Sequence, residues 1–254
     1  MTTAPAKRML NKVPQITAVF WTIKILTTGM GEALADYFDH AFEPILVVAL
    51  SGAVLAVALW FQLRADRFIA WRYWSAVAMV SVFGTLAADA VHVMLGVPYW
   101  ASSIGFLAGI LLIFIWWHRA EGSTSIDTIT TARRELFYWA IVMGTFALGT
   151  AAGDMTAMNF EWGFLASGVI FSVAFVIPLV AGWVSRARSG VGAGTVFTFW
   201  VAYVITRPLG ASYADWLALP GARGGLGWGT LPVSLAMIVA IVIFVALNRR
   251  SAKA

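Results

Sequence analysis

Residues 21–36, WTIKILTTGMGEALAD, recur in outline three more times, as WSAVAMVSVFGTLAAD at 74–89, WAIVMGTFALGTAAGD at 139–154 and WVAYVITRPLGASYAD at 200–215. In each copy a glycine (Gly31, Gly84, Gly149, Gly210) follows the tryptophan by ten residues, and an aspartate follows it by fifteen. A frame kept four times without a gap marks one supersecondary unit used repeatedly. A further apolar run separates each frame from the next, so the unit contains two apolar spans.

Composition sets the solvent. Of 254 residues 61% are hydrophobic and 11% charged, and the mean hydropathy is +0.83. A soluble domain of this length cannot bury so much apolar surface, so the chain reads as an all-α, polytopic membrane protein. Eight segments reach the length of about 20 residues that a helix needs to cross a hydrocarbon layer. They lie near 17–38, 45–64, 71–93, 97–118, 134–156, 163–184, 195–216 and 228–247. Paired in order, they give four repeats at about 17–64, 71–118, 134–184 and 195–247 within a single membrane domain covering 1–254.

The net charge of +5 is explained by where the basic residues fall. Lys7, Arg8 and Lys12 precede the first span; Arg64, Arg67 and Arg72 lie in the second connection; Arg119, Arg133 and Arg134 lie in the fourth. Arg186 and Arg188 lie in the sixth, and Arg249, Arg250 and Lys253 follow the last span, whereas only Arg223 falls on the opposite side. Cytoplasmic loops collect lysine and arginine, so both termini are expected in the cytoplasm and no nucleic acid is needed to account for the charge. Every repeat then starts on the same side, which makes the copies parallel, related by a pseudo-symmetry axis along the membrane normal. The first span imitates a signal peptide, but Lys24 interrupts it and its pattern recurs internally, so it is expected to be retained.

The chain resembles a family of bacterial integral membrane proteins built from tandem repeats of unknown function, each with two transmembrane segments and a characteristic tryptophan. The resemblance rests on the four Trp-Gly-Asp frames and covers residues 17–247. It implies the architecture and a bacterial inner (cytoplasmic) membrane, and it carries no activity.

Chemistry has to come from the residues. Counted from each tryptophan, positions +7, +11 and +15 fall close to one line of a helix. They read Thr28, Glu32, Asp36; Ser81, Thr85, Asp89; Phe146, Thr150, Asp154; and Arg207, Ala211, Asp215. Such a polar stripe in lipid has to face protein or a hydrated cavity. The four glycines, each followed four residues later by alanine or glycine, form a small-xxx-small line that lets helix backbones approach, and helix packing is their expected role. The tryptophans are expected in the interfacial belt at the cytoplasmic face. Pro208 in the seventh span and Pro178 in the sixth are expected to kink or break their helices.

Ionisable groups inside apolar spans are costly and mark functional sites. Here they are Glu32, Asp36, Asp89, Asp154, Asp215, Lys24 and Arg207, and with Thr28, Thr85 and Thr150 they form the expected solute or ion pathway. Capping and packing are the structural alternative for the aspartates. Arg207 is expected to reach an acid on a neighbouring helix, Glu32 first. Carboxylates with a histidine and no sulfur suit a divalent metal, and Glu32, Asp36, Asp89 and His92 are the candidate ligands. With no cysteine, thiolate sites and disulfides are excluded, and no serine elbow, phosphate loop or zinc-protease motif is present, so an enzyme is not expected. The expectation is a transporter of a small cation, foremost a divalent metal, with no other cofactor; the lipid bilayer is its partner and a homo-oligomer stays open. A proton-coupled carrier of an organic solute and a non-transporting scaffold or sensor are the alternatives.

Overall fold

The computed structural model describes residues 11–93, 95–190 and 192–251, so Lys7, Arg8 and Lys253 of the topology argument lie outside the described residues. Eight long helices make up the fold among them. They are α1 (Ala18–Ala41), α2 (Pro44–Leu63), α3 (Ala70–Val93), α4 (Tyr99–Glu121), α5 (Ala132–Asp154), α6 (Phe164–Ser189), α7 (Ala193–Ala218) and α8 (Thr230–Ser251). Local chemistry sets their ends. Thr17 caps α1 by accepting from the Phe20 N–H at 3.2 Å, and Thr131 caps α5 through Arg134. Glu43 caps α2, whose first turn carries Pro44, where a missing N–H costs nothing. Gly122, left-handed at φ 72°, stops α4. The expected break at Pro208 does not occur: α7 and α6 both run continuously through their prolines.

Six helices, α2, α3, α4, α5, α6 and α8, are long and apolar enough to cross a membrane, which makes this a multi-pass membrane protein. The other two, α1 and α7, carry Lys24, Glu32, Asp36 and Asp39 and Arg207 and Asp215 respectively, and that charge lowers their hydropathy. Large apolar side chains face outward along the even-numbered helices, among them Leu50, Val54, Leu111, Leu112, Val173 and Val239. Exposed side chains of this kind suit lipid and not water.

The motif helices close a ring, with α1 against α3, α3 against α5, α5 against α7 and α7 against α1. Each even-numbered helix packs mainly on the motif helix of the following repeat: α2 on α3, α4 on α5, α6 on α7, and α8 back on α1. A repeat in sequence is therefore not the packing pair; the second helix of each repeat buttresses its successor, and α8 closes the circle.

Two contacts recur at each step of the ring. The residue before each tryptophan is aromatic and packs on the tryptophan of the next repeat: Phe20 on Trp74, Tyr73 on Trp139, Tyr138 on Trp200 and Phe199 on Trp21, with ring centroids 5.6–6.0 Å apart. Trp21 also meets Phe175 of α6, and Trp200 meets Phe114 and Trp117 of α4. All four indoles are buried wedges between helices, which corrects the expectation of an interfacial belt.

The glycines supply the second contact. A Cβ on Gly31 would overlap Ser81, on Gly84 Phe146, on Gly149 Arg207, and on Gly210 Thr28. In each case the obstacle is the +7 residue of the adjoining repeat, so the glycine exists to admit it. The α5 pair Gly149 and Gly153 receives Arg207 and Pro208 together: Pro208 Cα would lie 3.7 Å from a Cβ on Gly153.

Candidate functional site

The interior of the ring reads as a stack of side chains four residues apart, starting with the aromatic layer Phe20, Tyr73, Tyr138 and Phe199. Next come Lys24, Val77, Val142 and Tyr203, then Thr28, Ser81, Phe146 and Arg207, all buried. Glu32, Thr85, Thr150 and Ala211 follow and are buried as well. The aspartates come last; Asp154 and Asp215 are nearly buried, and Asp36 and Asp89 are partly exposed.

The tryptophan end is sealed. Lys12, Val13 and Pro14 are buried beneath the α2–α3 and α4–α5 connections. Lys12 donates from its backbone to the Ile129 carbonyl at 2.9 Å and from its ammonium to the Leu63 carbonyl at 3.0 Å. Its ammonium also pairs with Glu135, which accepts from Gln62 Nε2 at 2.8 Å and from the Trp139 indole at 3.4 Å. Asn11 accepts from the Phe68 N–H and donates to the Ile126 carbonyl. The connection after α4 is thus folded, with Ile126 and Ile129 buried. Inside this seal, the Tyr73 and Tyr138 hydroxyls lie 2.5 Å apart, and those of Tyr138 and Tyr203 3.5 Å apart.

Lys24 comes next. Its ammonium is fully buried, makes no hydrogen bond to a described residue, and lies 4.2 Å from the centre of the Phe146 ring and 4.4 Å from that of Tyr203. Cation–π attraction to two rings is the stabilisation available to it there.

Arg207 is the hub. Its fully buried guanidinium crosses the ring and touches every motif helix: Nη1 donates to the Thr28 carbonyl of α1 at 3.2 Å, and Nη2 to Thr150 of α5 at 2.7 Å. Nη2 also meets Thr85 of α3 and forms the ion pair with Glu32 of α1. The Thr28 hydroxyl donates to the Thr206 carbonyl at 3.0 Å, locking α1 to α7 beside it. Thr28, Thr85 and Thr150, expected along a solute pathway, here surround the guanidinium.

Beyond Arg207 the carboxylates gather. Glu32 of α1, Asp154 of α5 and Asp215 of α7 each present an oxygen within 4.8 Å of the other two. Asp215 is 6% exposed, and its Oδ1 has no hydrogen-bond partner among the described residues. Asp154 ends α5 at a π-helical turn, Met155–Asn159, where Thr156 donates to the Gly153 carbonyl at 2.8 Å. Such turns recur at functional sites because they redirect a helix end.

The composition of this trio differs from the expected ligand set of Glu32, Asp36, Asp89 and His92. Asp36 and Asp89 lie in the outermost layer and outside the trio. His92 is turned to the α3–α4 connection: Nδ1 lies 2.8 Å from the Val97 carbonyl and Nε2 3.3 Å from the Ser102 hydroxyl, with the Tyr99 ring tilted against it at a centroid distance of 4.1 Å. Both ring nitrogens are engaged by the α3–α4 connection and the first turn of α4, and His92 lies outside the trio of Glu32, Asp154 and Asp215.

Sequence reasoning passed over Glu135 and the three tyrosines. The signal was present, since Phe or Tyr precedes Trp in all four copies, and Glu135 stands one helical turn before Trp139.

A family model described as Repeat of Unknown Function (DUF347) matches residues 19–68, 72–123, 137–188 and 198–254. No curated protein and no solved structure matches the chain. The chain belongs to the DUF347 repeat family.

Proposed function

We propose that this member of the DUF347 repeat family is a membrane transporter that takes a divalent metal cation into the aspartate end of the motif-helix ring and carries it across the bacterial inner membrane. In this reading all eight helices span the bilayer, the repeats run parallel around one axis, and both termini face the cytoplasm. Support for the parallel arrangement is the recurrence of the same two contacts at equal sequence positions around the ring. At 1.5 Å per residue, α1 and α7 are about 36–39 Å long, enough to span, and Lys24, Glu32, Arg207 and Asp215 are turned inward. The distribution of arginine and lysine supports the orientation.

The observation that carries the cation reading is the convergence of Glu32, Asp154 and Asp215 from three helices, with a buried carboxylate oxygen that has no hydrogen-bond partner among the described residues. Fully ionised, three carboxylates and Arg207 sum to a charge of −2, which a divalent ion balances. Oxygen-only ligands suit magnesium, manganese or calcium. Around the same end stand Asp36, Asp39, Glu43, Asp89 and Glu161 against Arg223, a field that raises the local concentration of cations.

Proteoliposomes holding a manganese-quenched dye test this reading. The wild-type protein is expected to admit Mn²⁺ well above protein-free vesicles, and Asp215→Asn to slow entry at least tenfold with an unchanged melting temperature. Entry no faster than in protein-free vesicles, or an unaffected variant, contradicts it.

A further inference from the structure

We infer that Arg207 is a built-in competitor for the cation, its guanidinium and the metal taking turns on Glu32. The inference rests on the cation reading above and concerns how the same site empties.

Glu32 belongs to two constellations at once. Its Oε2 is engaged by Arg207 and lies 3.4 Å from the Thr85 hydroxyl, yet a Glu32 oxygen also stands within 4.8 Å of Asp154 and Asp215. Asp215 Oδ1 is buried and has no hydrogen-bond partner among the described residues, so this carboxylate still needs a positive partner. A metal drawn into the trio attracts Glu32 away from the guanidinium, and the guanidinium, returning, dislodges the metal.

The bonding of Arg207 fits an arm with more than one resting position. Nη2 carries two N–H groups and faces three acceptors, Glu32, Thr85 and Thr150, while Nε is buried with no partner among the described residues. Thr85 and Thr150 are hydroxyls that hold the guanidinium whether or not Glu32 is with it. The Thr28 carbonyl is a further anchor at 3.2 Å. When Glu32 leaves, the arginine therefore stays inside the ring. Gly149 leaves room for the arginine stem, which any larger residue there would fill.

The competition yields an outcome opposite to that of an arginine that only braces the helices. Losing a brace loosens the site, whereas losing a competitor tightens it. Mn²⁺ binding to the purified full-length protein, read by the electron paramagnetic resonance signal of the free ion, distinguishes them. Arg207→Gln is expected to bind Mn²⁺ at least tenfold more tightly than wild type and to carry it at least tenfold more slowly, because release has lost its driver. Arg207→Lys, a point charge on a shorter stem that cannot fork across Glu32 and both threonines, is expected to shift affinity in the same direction by a smaller factor.

Gel filtration and melting establish that each variant is folded. Should Arg207→Gln fail to fold, two further results decide: the Lys variant, and the Mn²⁺-induced infrared difference spectrum of wild-type protein labelled with ¹³C in its guanidinium groups. A shifted guanidinium band is expected on adding Mn²⁺. Unchanged or weaker binding in a folded Arg207 variant, or no guanidinium band in the difference spectrum, overturns the inference while wild-type binding that is lost in Asp215→Asn leaves the cation site standing. Absence of Mn²⁺ binding to the wild type and to both Arg207 variants removes the cation reading, and the competition with it.

Discussion

At the tryptophan end of the ring the repeats contribute Phe20, Tyr73, Tyr138 and Phe199, which pack alike on Trp74, Trp139, Trp200 and Trp21. Eight residues further along, the same helices contribute Thr28, Ser81, Phe146 and Arg207, four side chains of different size and charge in four equivalent glycine-lined seats. Repetition has been kept where it builds the ring and lost where polar groups meet inside it. A ring closed by four like contacts tolerates unlike occupants at its centre, because the glycine frame makes the space and leaves the residue type free. Chemistry then depends on the differences between repeats: one arginine, one glutamate and two threonines form the hub, and two of the four aspartates join the glutamate.

The comparison is broken most severely at the seats. Gly149→Leu puts a branched side chain into the space of the Arg207 stem and is expected to cost more than about 3 kcal/mol, enough to abolish a folded product. Yield and melting temperature in detergent read this out, with leucine at the lipid-facing position Ala108 as the neutral control; equal behaviour of the two variants would show that the glycine frame is not what sets the approach.

A second effect belongs to the tryptophan end. Lys12→Met leaves Glu135 buried without its cation and is expected to cost about 3–5 kcal/mol. The double variant Lys12→Met/Glu135→Gln is expected to recover part of that loss, since an uncharged amide needs no counter-charge; a double variant as unstable as the single would contradict the ion pair's role. Lys24→Met should have the smallest effect. The buried ammonium has no hydrogen bond among the described residues to lose, and the cation–π attraction it forfeits, about 0.5–2 kcal/mol, is offset by removing a buried charge. A melting temperature within a few degrees of wild type is expected, and a collapse of the fold would reveal a partner for Lys24.

What the sequence displays and what it hides follow from the same division. Helix positions and the Trp-Gly-Asp frame were legible because repetition at fixed spacing is itself the signal, and the ion pair between Arg207 and Glu32 followed from charge counting in an apolar segment. The depth of the tryptophans was not, since an indole at the head of an apolar span looks the same whether it meets lipid headgroups or wedges between helices. Nor was the grouping of Asp154 and Asp215, in place of Asp36 and Asp89, beside Glu32. Spacing along one helix tells which residues share a face, but which of four faces meet depends on helix tilt and on the π-helical turn after Asp154. His92 resembled a ligand by its position three residues after Asp89, while its bonds to the Val97 carbonyl and the Ser102 hydroxyl come from a connection that periodicity does not describe.

The central claim is that the aspartate end of the ring holds a divalent cation between helices. Anomalous diffraction from crystals of the full-length protein grown with Mn²⁺, with data collected at the manganese edge, tests it most directly. The account predicts one strong peak inside the ring, bounded by the carboxylates of Glu32, Asp154 and Asp215 and missing from Asp154→Asn/Asp215→Asn crystals. A map with no peak there, or with manganese bound only at surface carboxylates, would contradict it.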